Sequence, residues 1–241
     1  MTKLLKSIPL FSGLSSDQLE KITGLAKEKN FSKGEFIFQE GEKGDGFYIV
    51  AKGKIKVFKI SFEGKEQILH IYGPGHTFGE VPVFEGKNFP ASSMAIEPSL
   101  ILFLPRNLFV KLITDSPALA MGMLADLSKR LRAFTVQIEN LSLKEVPARL
   151  AAYIITLARE TASDLGQDNT SQTLDDTIAL PGKVTLPISK AQLANLIGTT
   201  PETISRILKK MADAGLIIVQ NKDILILDMD GLSELSDLGR L

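Results

Sequence analysis

The chain has 241 residues, of which 44% are hydrophobic, and it carries 28 basic and 28 acidic residues for a formal net charge of zero. This length exceeds the commonest size of a single domain and the apolar content is ample for buried cores, so two domains are expected and disorder is excluded. The charge balance excludes a globally basic nucleic-acid coat protein, although one domain can still carry a basic face. The chain has no cysteine. Disulfides, cysteine-held zinc and an iron–sulfur cluster are therefore not expected, because their ligands are missing.

The N-terminal segment predicts neither a secretion signal nor a membrane anchor. Met1–Lys6 is followed by a polar helical pattern, and no apolar run approaches the length of a membrane span. We therefore expect a cytoplasmic protein without a membrane partner. A helix is predicted over Ser15–Glu28, with Leu19, Ile22 and Leu25 on one face.

Short runs of alternating apolar and polar residues, separated by glycines, occupy the chain from Phe31 to about Leu104. Strands are predicted at residues 35–38, 46–50, 54–60, 67–72 and 99–104. Turns are predicted between them, at Gly41–Gly46, Gly53, Gly64 and Gly73–Gly75. Short strands at this spacing predict a compact antiparallel barrel or jelly roll.

A long amphipathic helix is predicted after the barrel. Its apolar residues recur at alternating steps of three and four, namely Leu124, Leu127, Leu131, Phe134, Ile138 and Leu141. Such a heptad seam predicts a second helix alongside and hence a homodimer, whereas the alternative is a helix that lies on its own barrel. Charged and polar residues flank the seam, and we interpret them as the outer positions of a dimer: Lys129, Arg130, Arg132, Gln137 and Glu139.

The segment 188–216 has the pattern of two short amphipathic helices joined at Gly198, which is typical of a helix-turn-helix. Thr200 is the predicted cap of the second helix and Pro201 lies in its first turn. Strands are predicted at 183–188 and, as a hairpin, over 216–228, which makes the motif a winged helix. A plain helical hairpin is the alternative. Pro147 predicts a break before a further helix, and residues 161–180 predict a long loop.

The exposed side of the predicted second helix carries side chains that can contact bases and phosphates. The predicted DNA-binding residues are Lys190, Gln192, Thr199, Thr200, Pro201, Glu202, Thr203, Ser205, Arg206 and Lys209. Glu202, Ser205 and Arg206 share one face because they lie at i, i+3 and i+4. Arg206 can donate two hydrogen bonds to guanine, and Glu202 can accept one from a cytosine amino group. We therefore expect double-stranded DNA as a partner.

The order of barrel, long helix and winged helix resembles the superfamily of the cyclic-AMP receptor protein and the fumarate–nitrate reductase regulator (CRP/FNR) over nearly the whole chain. The resemblance is carried by GEKGDGFYIVAKGKIKV (residues 41–57), GHTFGE (75–80) and TPETISRIL (200–208). It implies an α+β fold with an N-terminal antiparallel β jelly-roll barrel like a cyclic nucleotide-binding domain, a dimerisation helix and a C-terminal winged helix-turn-helix domain. We expect these three parts at residues 1–116, 117–144 and 145–241.

The same resemblance implies a transcription regulator and not an enzyme. The expected partners are promoter DNA with an inverted repeat of TTGA-like half-sites, a second copy of the chain and RNA polymerase.

The resemblance also places an effector pocket inside the barrel. In the cyclic-nucleotide binders of this superfamily an Arg-Ser pair offsets the charge of the phosphate, and this chain has Phe89 and Pro90 at that place. A cyclic phosphate buried there would lack a cation and a donor, so cyclic AMP is not expected and the pocket is predicted to be apolar. The predicted pocket residues are His70, Gly79, Glu80, Phe89, Pro90, Phe134 and Thr135.

Residues 139–144 and 153–158 make the chain similar to the nitric-oxide-responsive group that contains the dissimilatory nitrate respiration regulator and the hybrid-cluster-protein regulator. This resemblance implies heme in the cavity between barrel and helix. His70 is the expected metal ligand, because a neutral imidazole can coordinate heme iron. His76 lies in a predicted turn, and Met121 or Met123 would be alternative axial ligands. The expected function is nitric oxide sensing. The alternatives are a CRP-like regulator with another small ligand and a constitutive DNA-binding dimer with a scaffold barrel.

Overall fold

The structure is a computed structural model that describes residues 5, 6, 8, 11, 16–115, 117–165 and 182–239. The chain divides into two compact units, residues 1–134 and 135–241, each with its own buried residues. Most of the predicted loop at 161–180 lies outside the described residues. Its first five residues instead continue a helix that ends at Leu165.

The first unit contains a barrel of two antiparallel sheets. In chain order its elements are α1 (Ser16–Leu25), β1 (Lys27–Phe31), β2 (Phe36–Phe38), β3 (Gly46–Lys52), β4 (Ile55–Ile60), β5 (Glu66–Tyr72), β6 (Thr77–Phe78), α2 (Val81–Glu85), β7 (Ser92–Ala95) and β8 (Ser99–Pro105). The strand orders are β1-β8-β3-β6 and β2-β7-β4-β5. This topology confirms the predicted antiparallel jelly roll.

The N-terminal helix is shorter than predicted. It ends at Leu25 and not at Glu28, and Lys27–Phe31 forms a strand that pairs antiparallel with β8. Leu19 and Ile22 are buried as expected, whereas Leu25 is about half exposed. Strand β1 is exposed along most of its length, so it has no apolar alternation, and its backbone pairing with β8 decides its conformation.

Strand β5 contains an irregularity that determines which of its side chains point inward. Val57 lies opposite His70 and Phe58 lies opposite Ile68, so Leu69 is one extra residue in β5. Such a bulge re-aims side chains relative to strict alternation. As a result, the neighbouring residues Leu69 and His70 both line the cavity inside the barrel.

Two helices follow the barrel, α3 (Arg106–Asp115) and α4 (Pro117–Leu143). All six predicted seam residues are between 36% and 69% exposed in the single chain. Their apolar face is therefore largely uncovered within the chain, and the predicted homodimer remains the interpretation of this face. The division between the two compact units falls within α4, and the predicted boundaries at 116 and 144 stay predictions.

The second unit is a winged helix. Its elements are α5 (Val146–Leu165), β9 (Lys183–Thr185), α6 (Lys190–Ile197), α7 (Pro201–Asp213), β10 (Ile217–Gln220), β11 (Asp223–Ile226) and α8 (Met229–Leu238). The sheet order is β10-β11-β9. The helix break predicted at Pro147 lies just before that residue, between the end of α4 at Leu143 and the start of α5 at Val146. Pro147 itself lies in the first turn of α5, where a missing N–H is tolerated. Helix α8 was not predicted; it packs mainly against α5.

No single helix within the described ranges is long and apolar enough to cross a membrane. The pair Arg106–Asp115 and Leu119–Leu143, bent by 113°, meets those criteria only when its members are taken together.

Candidate functional site

The first helix of the helix-turn-helix is fixed at both ends by local hydrogen bonds. The Ser189 hydroxyl accepts from the Gln192 backbone N–H at 3.2 Å, and the Ser189 N–H donates to Gln192 Oε1 at 3.0 Å. The helix ends at Gly198, whose φ of +73° favours glycine. Gln192, a predicted DNA contact, therefore uses its side-chain oxygen to cap α6 and keeps its amide N–H₂ group for other partners.

The recognition helix α7 begins where the sequence predicts. The Thr200 hydroxyl accepts from the Thr203 backbone N–H at 3.3 Å, and Pro201 is the first helical residue. The apolar face packs inward as predicted through Ile204, Leu208 and Met211, and Ile207 is buried as well.

The side chains predicted to contact bases lie on the opposite, solvent side of α7. Glu202, Ser205, Arg206 and Lys209 are all exposed. No ion pair joins Arg206 or Lys209 to any residue that the structure describes. Lys190, from the start of α6, borders the same groove as Ser205 and Lys209. The structure thus brings a hydrogen-bonding surface with two lysines to one side of the helix-turn-helix, which fits contact with bases and phosphates.

A cavity of about 350 Å³ lies inside the first unit, between the barrel and α4. Its lining is mainly apolar and comprises Phe38, Val57, Leu69, His70, Tyr72, Phe78, Gly79, Glu80, Val81, Phe89, Pro90, Ala91, Leu127, Arg130, Leu131 and Phe134. Six of the seven predicted pocket residues are in this set. The exception is Thr135, which is exposed on α4, because each helical step turns the side chain by about 100° away from its neighbour.

Phe89, one of the two residues expected at the place of the Arg-Ser pair, packs into the aromatic part of the cavity wall. Its ring stacks on Phe38 with 3.8 Å between centroids and 9° between planes, and the side chain is buried. Gly79 beside it has a φ of +76°, and a Cβ there would meet Tyr48 at 3.1 Å and Phe38 at 3.2 Å. Close aromatic packing therefore occupies this part of the wall.

His70 is a neutral imidazole on the cavity wall. Burial, together with the charge of Arg130 and the neighbouring His76, lowers its pKa from 6.5 to about 4. Its ring centroid lies 4.3 Å from that of Tyr72. No hydrogen bond joins a ring nitrogen of His70 to any other part of the chain that the structure describes.

The second histidine and the two methionines considered as alternative axial ligands do not line the cavity. His76 Nδ1 lies 3.2 Å from the carbonyl oxygen of Gly73 in the predicted turn. Met121 is exposed, and Met123 is buried in a separate core cluster of the first unit. His70 is therefore the one predicted ligand residue that the structure places at the cavity.

Arg130 is not an outer position of the helix, in contrast to our interpretation from the sequence. Its side chain is only 18% exposed and pairs with Glu80, with 2.9 Å between Nη1 and Oε1. Its Nη2 donates to the carbonyl and hydroxyl oxygens of Thr77, both at 2.7 Å, and also pairs with Asp126 at 2.8 Å. Arg130 lies next to the seam in the heptad, at position g, from which a long side chain can reach either solvent or a neighbouring wall.

The buried guanidinium stays charged. Burial works against its charged form, but Glu80, Tyr72 and Asp126 outweigh that effect, so the pKa of Arg130 is raised above its ordinary value. The sequence signal that could have identified this residue is Glu80 itself, a carboxylate in an apolar barrel that needs a cation to be buried.

Two family models match the chain. The model of the cyclic nucleotide-binding domain matches residues 28–116, and the model of the Crp-like helix-turn-helix domain matches residues 148–235. The chain is 30% identical over 213 residues to the cyclic AMP receptor protein of Thermus thermophilus, which covers 88% of this chain and 89% of that protein. It is also 29% identical over 220 residues to the fumarate and nitrate reduction regulatory protein of Escherichia coli. That match covers 91% of this chain and 82% of that protein.

A solved structure agrees with these matches. A transcriptional regulator of the CRP/FNR family from Thermus thermophilus is similar with a TM-score of 0.64 and 25% sequence identity, covering 88% of this chain and 98% of that one. These relatives are transcription regulators and not enzymes, and the regulators of this family bind promoter DNA as dimers. The chain belongs to the CRP/FNR family of DNA-binding transcription regulators.

Proposed function

We propose that this regulator recognises an inverted repeat of TTGA-like half-sites and is controlled by a ligand with apolar faces in the barrel cavity, namely heme that responds to nitric oxide. The observation that carries the proposal is His70, a neutral imidazole without a hydrogen-bonding partner among the described residues, on a mainly apolar wall. A neutral ring nitrogen is the form of histidine that coordinates a metal.

The cavity disfavours an effector that buries an anionic phosphate. Phe89 has no charge, and Pro90 has no N–H to donate to a phosphate. The cation nearby, Arg130, is already paired with two carboxylates and bonded to Thr77. A cyclic phosphate would have to replace those partners or lie unpaired, so cyclic AMP is not the expected ligand, although one relative is named as its receptor.

The residues present fit heme by the chemistry of the donor set. Heme would supply an iron that can bind an imidazole nitrogen and a diatomic gas. His70 would hold the iron, and the rings of Phe38, Tyr72 and Phe78 would cover the apolar faces of the macrocycle. The cavity volume of about 350 Å³ is near the lower end for small-molecule sites, so a macrocycle requires the α4 wall to move outward.

Occupancy of the cavity can reach the dimer seam through shared residues. Leu127, Leu131 and Phe134 line the cavity and are also three of the six seam residues. A ligand that binds one arrangement of these side chains better than another shifts the population of that arrangement. The helix that carries them continues to Leu143, and its seam sets how two copies pack.

Two other functions remain as alternatives. One is a regulator of the same kind that binds a different small neutral ligand, which the apolar lining would equally accept. The other is a constitutive DNA-binding dimer whose barrel is a scaffold. The cavity itself favours the first over the second, because a barrel that serves only as a scaffold has no need of an internal cavity.

Hemin added to the purified protein tests the ligand assignment. We expect a Soret band that shifts when nitric oxide is added. We expect His70→Ala to lose the band of the parent, while His76→Ala, the control at the second histidine, retains it. An unchanged response in His70→Ala would refute the assignment of the ligand residue. Saturable binding of cyclic AMP in calorimetry would refute the interpretation of the cavity.

A further inference from the structure

Phe84 and Met121 are large apolar side chains of the first unit that are exposed outside both the seam and the cavity lining. Phe84, in α2, is 48% exposed, and Met121, in the first turns of α4, is 66% exposed. Both side chains lie close to residues whose packing the structure defines. Their positions can therefore be compared with the surface that a second copy of the chain would cover.

One flank of α4, at the g positions of the heptad, packs on its own barrel. Arg130 pairs with Glu80 immediately before α2, and one heptad earlier Met123 belongs to the same buried core cluster as Val83 of α2. As the residue number falls along α4, the number of the neighbouring residue at α2 rises. The short helix α2 therefore runs back along α4, and Phe84 lies at the level of the first turns of α4.

The other flank of α4 carries the e positions of the heptad, which include Met121 and Ser128. Regulators of this family bind promoter DNA as dimers. Two copies that bind one DNA site by two-fold symmetry have their α4 helices parallel, because both DNA-binding units must lie at the same end of the seam. In a parallel pair, the e positions of one helix lie beside the g positions of the other. The partner's Met121 therefore reaches the flank that carries the barrel, at the level of Phe84.

We propose that Met121 of each copy packs on Phe84 of the other, so that α2 extends the dimer interface beyond the seam. The Phe84 ring is supported from within its own chain by the buried ring of Phe109, at 6.0 Å between centroids and 84° between planes. A flexible thioether adapts well to such an aromatic surface. Two exposed apolar side chains thus cover each other, and two-fold symmetry forms the contact twice. The inference rests on the predicted seam and not on the identity of the effector.

Because the chain has no cysteine, two introduced thiols can report this contact directly. We expect the Phe84→Cys, Met121→Cys double variant to form a covalent dimer under mild oxidation, seen on a non-reducing gel, and neither single variant to do so. Glu85→Cys with Met121→Cys provides a second route if Phe84→Cys does not fold, since Glu85 is an exposed neighbour. Phe62→Cys with Met121→Cys is the matched control, because Phe62 is fully exposed in the turn between β4 and β5. The first pair should cross-link at least about tenfold faster than this control.

Alanine variants of the full chain measure what the contact contributes to dimerisation. We expect Phe84→Ala and Met121→Ala each to raise the dimer dissociation constant by about tenfold, and the double variant to raise it no further, because both remove the same contact. Val136→Ala shortens an exposed apolar side chain at position f, on the side of α4 away from the seam. It should leave the constant within about twofold of the parent. Sedimentation equilibrium measures all four constants.

The proposal is overturned if the cysteine pairs at Phe84 and Glu85 cross-link no faster than the pair at Phe62, or if the effects of the two alanine substitutions multiply in the double variant. Either result with a dimeric parent removes this contact and leaves the seam as the interface. Failure of the heme assignment does not affect these measurements, because they use neither heme nor DNA.

Discussion

Arg206 and Lys209 differ in what they can contribute to DNA binding, although both are basic and exposed on α7. Arg206 stands with Glu202 and Ser205 near the start of the helix, where recognition helices contact base edges. Its planar guanidinium can donate two parallel hydrogen bonds to guanine, whereas the single ammonium of Lys209 suits a phosphate.

We expect Arg206→Ala to weaken binding to a TTGA-like inverted repeat by about 1–3 kcal/mol and to relax the preference for guanine. Lys209→Ala should weaken binding to all sequences alike and reduce its salt dependence, because a phosphate contact carries no sequence information. Fluorescence anisotropy on matched and guanine-substituted duplexes measures both effects. Equal losses on the two duplexes for Arg206→Ala would contradict its role in base recognition.

His70 gives the stability of the protein a defined dependence on pH. Its pKa is about 4 in the folded protein and 6.5 ordinarily, so between these values the unfolded chain binds the proton more strongly. The neutral form of His70 therefore contributes to the free energy of unfolding fully above pH 6.5, and this contribution is lost as the pH falls towards 4.

We expect His70→Gln to lose less stability than the parent over that pH interval, as measured by urea unfolding at a series of pH values. His76→Gln, at the other histidine, should follow the parent. Parallel curves for His70→Gln and the parent would show that the imidazole is not kept neutral by its surroundings.

At the scale of residues, the sequence predicted the site where this chain differs from the family pattern in a way that changes the chemistry. Phe89 and Pro90 could be placed at the effector cavity because the resemblance puts them at the position of an Arg-Ser pair, and both line the cavity. Arg130 could not be placed at the cavity from the sequence, because an arginine next to a heptad seam has the same sequence signal whether it faces solvent or a barrel. Its buried state depends on Glu80, 50 residues away.

At the scale of elements, regular periodicity identified most of the fold. The longer barrel strands and the helices α4, α6 and α7 have clear apolar periods of two or about three and a half. Strand β6 has two residues and β7 has the sequence Ser-Ser-Met-Ala, so neither has a pattern to detect. Helix α8 was missed although it has an Asp228 cap, because the preceding hairpin already completed the expected winged helix.

The exposed apolar face of α4 predicts the oligomeric state. Leu124 and Ile138 belong to the seam but do not line the cavity, so they test dimerisation without altering the effector site. Val136 is also exposed, yet it lies at position f of the heptad, on the side away from the seam.

We expect Leu124→Glu combined with Ile138→Glu to yield monomers. Each buried leucine or isoleucine contributes about 1.5–3 kcal/mol, and the substitutions remove two from each protomer and place like charges opposite each other. Val136→Glu should stay dimeric. Sedimentation velocity distinguishes the two states, and a dimeric double variant would rule out the seam as the interface.

At the scale of the whole molecule, the chain joins a cavity and a DNA surface through one helix. The cavity lies in the first unit and the recognition helix in the second, and α4 belongs to both. A ligand can change DNA affinity only by its preference for one arrangement of this helix, and couplings of this kind are commonly worth about 1–3 kcal/mol. The order of the three parts was predictable from the sequence, whereas the ion pair of Arg130 with Glu80 was not.

The most direct test of the account is the affinity of the parent dimer for an inverted TTGA-like repeat, measured alone, with hemin, and with hemin and nitric oxide. Because Leu127, Leu131 and Phe134 line the cavity and also belong to the seam, we expect hemin with nitric oxide to tighten DNA binding at least about fivefold. Equal affinity under all three conditions would contradict the account and leave two alternatives, a regulator with a different small ligand and a constitutive DNA-binding dimer.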